Sequence, residues 1–284
     1  MILLSLILAA IMLYTEFRLT SSFMRFTSNG FGALPLVLQN KADAPAQYRV
    51  LIPWMYFIMP FPPGRTLYVL LKYIGMVFGL VAFGTFAYTV GVPWQFSIPL
   101  MAAILPMMFM YDYADCYYEL GFFCLAWSMG QQHLVALGII TFLATLNRET
   151  GVFIPVGYWA LTGDITGAII LLVASGLGGM IPRLIYGMKP RYCMPGETKP
   201  ITFCQFKANI KDLRKALAIE HIWTLLLLVT YAIVGLIAKP YGGMGRLYLV
   251  MGAFGVLMLV PTKWCESRVF MPMLGTLIPM FWYI

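Results

Sequence analysis

Apolar residues run through this chain in long unbroken stretches, with polar residues gathered between them. The stretches are Met1–Tyr14, Val50–Phe61, Leu67–Val90, Trp94–Tyr111, Leu120–Gly130, Leu134–Leu146, Val152–Leu161, Ile165–Tyr186, Trp223–Ala238, Leu247–Val260 and Val269–Ile284. None shows the strict alternation of a half-buried strand, so each predicts a helix. A membrane crossing takes roughly 20 apolar residues, fewer where the helix is broken. Several stretches are shorter than that, so the pattern predicts about 8–11 hydrophobic segments, some broken or re-entrant.

Composition narrows the class. Hydrophobic residues make up 61% of the 284 and charged residues only 11%. Soluble domains carry about 25% charged residues, so too few are present here to coat a soluble surface. Disorder is excluded on the same ground, and an outer-membrane barrel would show alternating segments of about 10 residues. The expected fold is an all-α membrane protein, a polytopic transmembrane helix bundle forming a single integral membrane domain over 1–284. Without a basic start or a small-residue cleavage site, Met1–Tyr14 is expected to be a first helix rather than a leader.

The net charge of +8 would point to nucleic acid in a soluble protein. In a membrane protein it points to cytoplasmic loops and anionic lipid, with no nucleic-acid partner. The segment 189–222 holds Lys189, Arg191, Lys199, Lys207, Lys211, Arg214 and Lys215, and is expected to be a basic cytoplasmic loop. Its second half is either an amphipathic helix on the inner leaflet or a solvated linker. The segment 15–49 is then the long external loop. Its charges, Glu16, Arg18, Arg25, Lys41, Asp43 and Arg49, are mixed with Phe and Leu, so it is expected to fold against the membrane surface.

Familiar catalytic and cofactor motifs are missing. The five cysteines have no paired spacing, which argues against zinc and iron–sulfur ligation. His133 and His221 do not form a haem pair. Gly176-Leu177-Gly178-Gly179 lacks the Lys-Ser/Thr of a phosphate loop and reads as a close helix approach. Prolines lie in or beside many apolar stretches, among them Pro53, Pro99, Pro106, Pro155, Pro182 and Pro279. Broken backbone is tolerated at membrane depth only where it packs in protein or lines a cavity.

Three charged clusters interrupt the apolar pattern, where charge is costly. Asn147-Arg148-Glu149-Thr150 divides the 29-residue run 133–161. That length is too long for one straight span and short for two, as in a broken helix reaching into a cavity. An ordinary loop with a local ion pair is the competing reading. In the second cluster, Asp112, Asp115 and Glu119 stand among three tyrosines. An interfacial loop explains the tyrosines, while three carboxylates would also suit a divalent cation such as Mg²⁺ or Mn²⁺. The third is a pair of strings, Gln47-Tyr48-Arg49-Val50-Leu51-Ile52-Pro53 and Glu266-Ser267-Arg268-Val269-Phe270-Met271-Pro272. Each sets an Arg before an apolar run, either snorkelling at a helix end or placed to hold a phosphate or carboxylate.

In order, the acid-containing loop after the first helix, the Tyr48-Arg49 entry, the Asn147–Thr150 break and the Glu266–Pro272 string resemble the GT-C-type membrane glycosyltransferases, which use polyprenyl-phosphate-linked sugars. The chain is shorter than those enzymes generally are. The resemblance implies transfer of a sugar from a polyprenyl-phosphate donor to an acceptor at the external face of a cell inner (plasma) membrane. It implies an acidic catalytic residue at Glu16 or Asp43. It also implies lipid-phosphate or substrate binding by Tyr48, Arg49, Arg148, Glu149 and Arg268. Inversion at a sugar carbon needs a carboxylate for the acceptor proton and cations for the leaving phosphate. Two other readings remain open: a transporter or flippase, from the broken helices, and a non-catalytic multi-pass subunit with membrane protein partners.

Overall fold

In the computed structural model, the described residues are 1–19, 31, 34–42, 49–62, 64–108, 114–130, 133–187, 229–231, 233, 242–258 and 271–282. Asp43, Tyr48, Asp112, Arg268 and the segment 189–222 lie outside them. All regular structure among the described residues is helical.

The principal helices are α1 (Ile2–Leu19), α2 (Leu51–Ile58), α3 (Arg65–Thr89), α4 (Trp94–Met108), α5 (Asp115–Ser128), α6 (Leu134–Asn147), α7 (Phe153–Thr162), α8 (Ile165–Tyr186), α9 (Gly242–Met258) and α10 (Met271–Trp282). A 3₁₀ turn, Glu149–Val152, joins α6 to α7. Two of the helices, α3 and α8, are long and apolar enough to cross a membrane by length and composition.

The bundle is organised around α5. From Asp115 to Cys124 every residue of α5 is buried, as expected of a helix apolar nearly all round. It packs on α3 along one side, on α6 and α7 along the other, and against α10. The approach of α3 is close because Gly79 leaves room for the Tyr117 backbone carbonyl, which a Cβ there would meet. The core between these helices is aromatic. Phe78, Tyr118 and Phe122 pack on one flank, and Phe86, Phe123 and Trp127 on the other.

The second feature is the pairing of α8 with two helices in succession. Phe142 of α6 lies opposite Gly178, Thr145 Oγ1 is 3.0 Å from Ser175 Oγ, and Tyr158 of α7 donates to Asp164 at 3.1 Å. Rising numbers on one side meet falling numbers on the other. So α6, the 3₁₀ turn and α7 together run antiparallel to the single helix α8. The 29-residue run is therefore one broken element, and its break faces Ser175, near the middle of Ile165–Tyr186.

Local chemistry explains the corner between α7 and α8. Gly163 ends α7 with φ 76°, a left-handed conformation that glycine adopts without steric cost. Asp164 then caps α8, its side chain accepting from the Gly167 N–H at 3.0 Å. The outward side of α8 is apolar and exposed, at Ile169, Val173, Leu177, Leu184 and Ile185 among others.

Two sequence expectations change at this level. Helix α1 continues through Leu19, so Glu16 belongs to the helix and not to a loop beginning at residue 15. Burial of the Met12 and Glu16 side chains on the same face accompanies the helix past the apolar stretch that ends at Tyr14. Asp115 and Glu119 likewise sit in the first turns of α5 rather than in an interfacial loop. Both side chains have cationic partners that make burial tolerable.

Candidate functional site

The break in the α6–α7 element has a local cause. Asn147 is a weak helix former, and Pro155 has no N–H to give to a continuous ladder but is tolerated in the first turn of a new helix. Arg148 adopts an extended conformation, φ −154° and ψ 146°. Its N–H still closes α6 on the Ala144 carbonyl at 2.8 Å, and its own carbonyl accepts from Gly151 at 3.0 Å. The chain thus leaves the helix for one residue, and that residue carries the buried guanidinium.

Around the break, four segments are tied together. Val50, at the start of α2, donates its N–H to the Leu146 carbonyl at 3.0 Å. Asn147 Nδ2 donates to the Asp115 carbonyl at 2.7 Å, joining the end of α6 to the start of α5. These ties bring Arg49, Asp115, Glu119, Arg148 and Glu149 into one cluster. Arg148 Nη1 donates to Glu119 Oε2 at 2.7 Å, and its Nε lies 3.6 Å from Asp115 Oδ2. Thr150 donates to the other oxygen of Glu119. Arg49 spans two carboxylates, with Nη1 3.5 Å from Asp115 Oδ2 and Nε 3.3 Å from Glu149 Oε2.

The cluster is graded in depth. Arg148 and Glu119 are 1% exposed at their side chains, Asp115 is 11%, Arg49 22% and Glu149 34% exposed. An arginine keeps its charge at any accessible pH, so burial obliges it to hold an anion close. The inner pair is structural chemistry of that kind. The outer pair, Arg49 and Glu149, is where a ligand can reach a cation and a carboxylate together.

A cavity of about 420 Å³ opens beside the break, bordered by Glu149, Val152, Ser175, Gly176, Met180 and Arg183. Arg183 sits one turn from the end of α8, yet its Nη1 donates to the Gly179 carbonyl. The guanidinium is drawn back toward the break rather than out past the helix end.

Glu16 lies elsewhere. It is 3% exposed, 2.5 Å from Lys72 Nζ, and accepts a hydrogen bond from the Tyr117 hydroxyl. On α5, Glu119 is offset from Asp115 by roughly 40° around the axis and Tyr117 by about 200°. Glu16 and Lys72 therefore meet α5 on the side facing α1 and α3, away from the arginine cluster. As placed, Glu16 is enclosed in an ion pair and does not share the space beside the break.

Of the residues singled out from sequence, Arg49, Arg148, Glu149, Asp115 and Glu119 come together. For the cation reading, Asp115 and Glu119 are engaged by arginines, and among the described residues no group of three His, Cys, Asp or Glu side chains is placed to share a metal. Sequence reasoning passed over Lys72 and counted Arg183 only as a cation before the basic segment 189–222, not as a site residue. Lys72 had a signal, a lone cation inside the apolar run 67–90. Comparison of the chain with protein-family models, with curated proteins and with solved structures gives no match.

Proposed function

We propose that this chain is a multi-pass membrane protein of a cell inner membrane, acting as a glycosyltransferase that takes a sugar from a polyprenyl-phosphate-linked donor to an acceptor reached from the external side. The observation that carries the reading is the charged cluster at the helix break, opposite the middle of α8, in a chain whose outward helix faces are apolar. Charges held at such a depth are costly unless they serve a cavity. The exposed apolar side of α8 suits contact with lipid chains.

Within this reading the residues of the cluster suit separate roles. Arg49 carries five N–H donors in a planar fork, two of which meet Asp115 and Glu149. It is the cation suited to the donor phosphate. Glu149 is the most exposed carboxylate of the cluster and is suited to accept a proton, a role Glu16 is less able to fill from its buried ion pair. In the step, the acceptor oxygen bonds to the sugar carbon while its proton passes to Glu149. The bond from that carbon to the phosphate oxygen breaks, and the phosphate leaves with the electron pair toward Arg49. Arg148 is a positioning residue that orients Asp115 and Glu119 beneath them.

The test is transfer of a labelled sugar from polyprenyl-phosphate donors by the full chain in proteoliposomes. Wild-type transfer, reduced about 100-fold or more in Glu149→Gln, is the expected result. No transfer across a panel of donors and acceptors would overturn the reading.

A second reading, transport of a substrate across the membrane, is favoured by the break opposite the middle of α8. Broken helices at mid-depth are used to hold transported solutes. Flux into vesicles without any sugar transfer would select it.

A further inference from the structure

We propose that the groove between the helix break and α8 binds a phospholipid whose headgroup carries a primary amine beside its phosphate. The inference rests on the membrane reading above and needs no reaction at the site.

Two opposite charges border one cavity of about 420 Å³: the Glu149 carboxylate on the 3₁₀ turn and the Arg183 guanidinium on α8. The volume falls within the range of ordinary small-molecule sites. Arg49 Nε lies 3.3 Å from Glu149 Oε2 and orients the carboxylate at the rim. An ionised carboxylate only accepts hydrogen bonds, so the group that meets it must bring N–H or O–H donors. Arg183 is drawn back along α8 by the Gly179 carbonyl, and a guanidinium pairs with phosphate oxygens through two parallel bonds. A headgroup with an ammonium next to a phosphate matches both.

The rest of the groove supplies the lipid half of the ligand. Val152, Leu172 and Met180 border the cavity and are exposed. They continue onto the apolar outward side of α8, where Val173 and Leu177 are also exposed. Gly176 lets an acyl chain lie against the helix, since a Cβ there would meet nothing within 4 Å. A free, water-soluble phosphoamine would leave that apolar flank without use. A quaternary ammonium would offer Glu149 no N–H, and the neutral glycerol of a phosphatidylglycerol headgroup would offer it O–H donors but no opposite charge.

The experiment uses the full chain reconstituted in mixed bilayers, extracted gently, with the retained lipid identified by native mass spectrometry. Phosphatidylethanolamine is expected to be retained over phosphatidylcholine and phosphatidylglycerol. Free phosphoethanolamine is expected not to displace it. Glu149→Gln is expected to lower the preference for the primary amine about tenfold, the loss of one charge-assisted hydrogen bond. Arg183→Gln is expected to lower retention of the amine and choline lipids alike. A photoreactive phosphatidylethanolamine, cross-linked to the wild-type chain and mapped by peptide sequencing, is expected to label α8 and the 3₁₀ turn. This arm needs no variant to fold. Equal retention of the three lipids, an unchanged preference in a folded Glu149→Gln protein, or labelling away from the groove would each overturn the proposal. Failure of the chain to float with vesicles would overturn the membrane reading beneath it, and vesicle flotation reads that separately.

Discussion

Arg148 Nη1 lies 2.7 Å from Glu119 Oε2, and both side chains are 1% exposed. This pair joins the helix break to the central helix α5, and the remaining charges of the cluster are arranged around it. Removing one member of such a buried pair leaves the other charge without compensation, which costs about 3–5 kcal/mol. Arg148→Met is therefore expected to lower stability by about that amount, read as thermal unfolding of the detergent-solubilised protein. The double variant Arg148→Met/Glu119→Gln is expected to recover much of the loss. A double variant destabilised by the sum of the losses of Arg148→Met and Glu119→Gln would show that the pair is not coupled.

The same reasoning applies to Glu16 and Lys72, 2.5 Å apart on the other side of α5. Lys72→Met is expected to destabilise the protein by about 3–5 kcal/mol, with Glu16→Gln/Lys72→Met less severe than Lys72→Met alone. A double-mutant cycle by chemical denaturation measures the coupling. The experiment also asks whether Glu16 serves stability or reaction. A Glu16→Gln protein that folds and loses all sugar transfer would return Glu16 to the catalytic role.

Arg49 is expected to behave differently, because it is partly exposed and bridges Asp115 and Glu149 through two separate nitrogens. Its removal is expected to cost about 1 kcal/mol of stability or less, as for ion pairs near the surface. On the glycosyltransferase reading proposed above, binding of a polyprenyl-phosphate donor is, in contrast, expected to fall strongly. Arg49→Lys is not expected to restore it, since an ammonium cannot reproduce the planar fork. Parallel melting curves and donor titrations of Arg49→Ala and Arg49→Lys check both parts.

The corner at Gly163 offers a prediction independent of the charges. With φ at 76°, Gly163→Ala is expected to cost about 1–2 kcal/mol. Asp164→Ala is expected to cost about 1 kcal/mol through loss of the α8 cap. Both variants are expected to shift the melting temperature downward while leaving the Arg148–Glu119 coupling energy unchanged. A change in that coupling would mean that the turn and the break move together.

Much of the helical layout was open to reading in the apolar pattern, because helices that bury apolar surface must display it as continuous runs. The stretches 67–90 and 165–186 became α3 and α8 nearly residue for residue. The interruption at Asn147–Thr150 was visible too, as a charged pair inside an apolar run, but whether it was a broken helix or an ordinary loop was left open until the pairing with α8 was seen.

Sequence by itself determined that the chain is helical and apolar, where its helices are interrupted, and which rare charges needed an explanation. Only the tertiary structure decided how those charges are partnered. Glu16 and Arg49 were both read as parts of one external loop. Packing placed Glu16 against Lys72 on one side of α5, and Arg49 with Arg148, Asp115 and Glu149 on the other. The physical reason is that a buried charge is settled by the nearest opposite charge within a few ångströms. That distance depends on how helices far apart in the chain pack, which no local pattern of residues encodes.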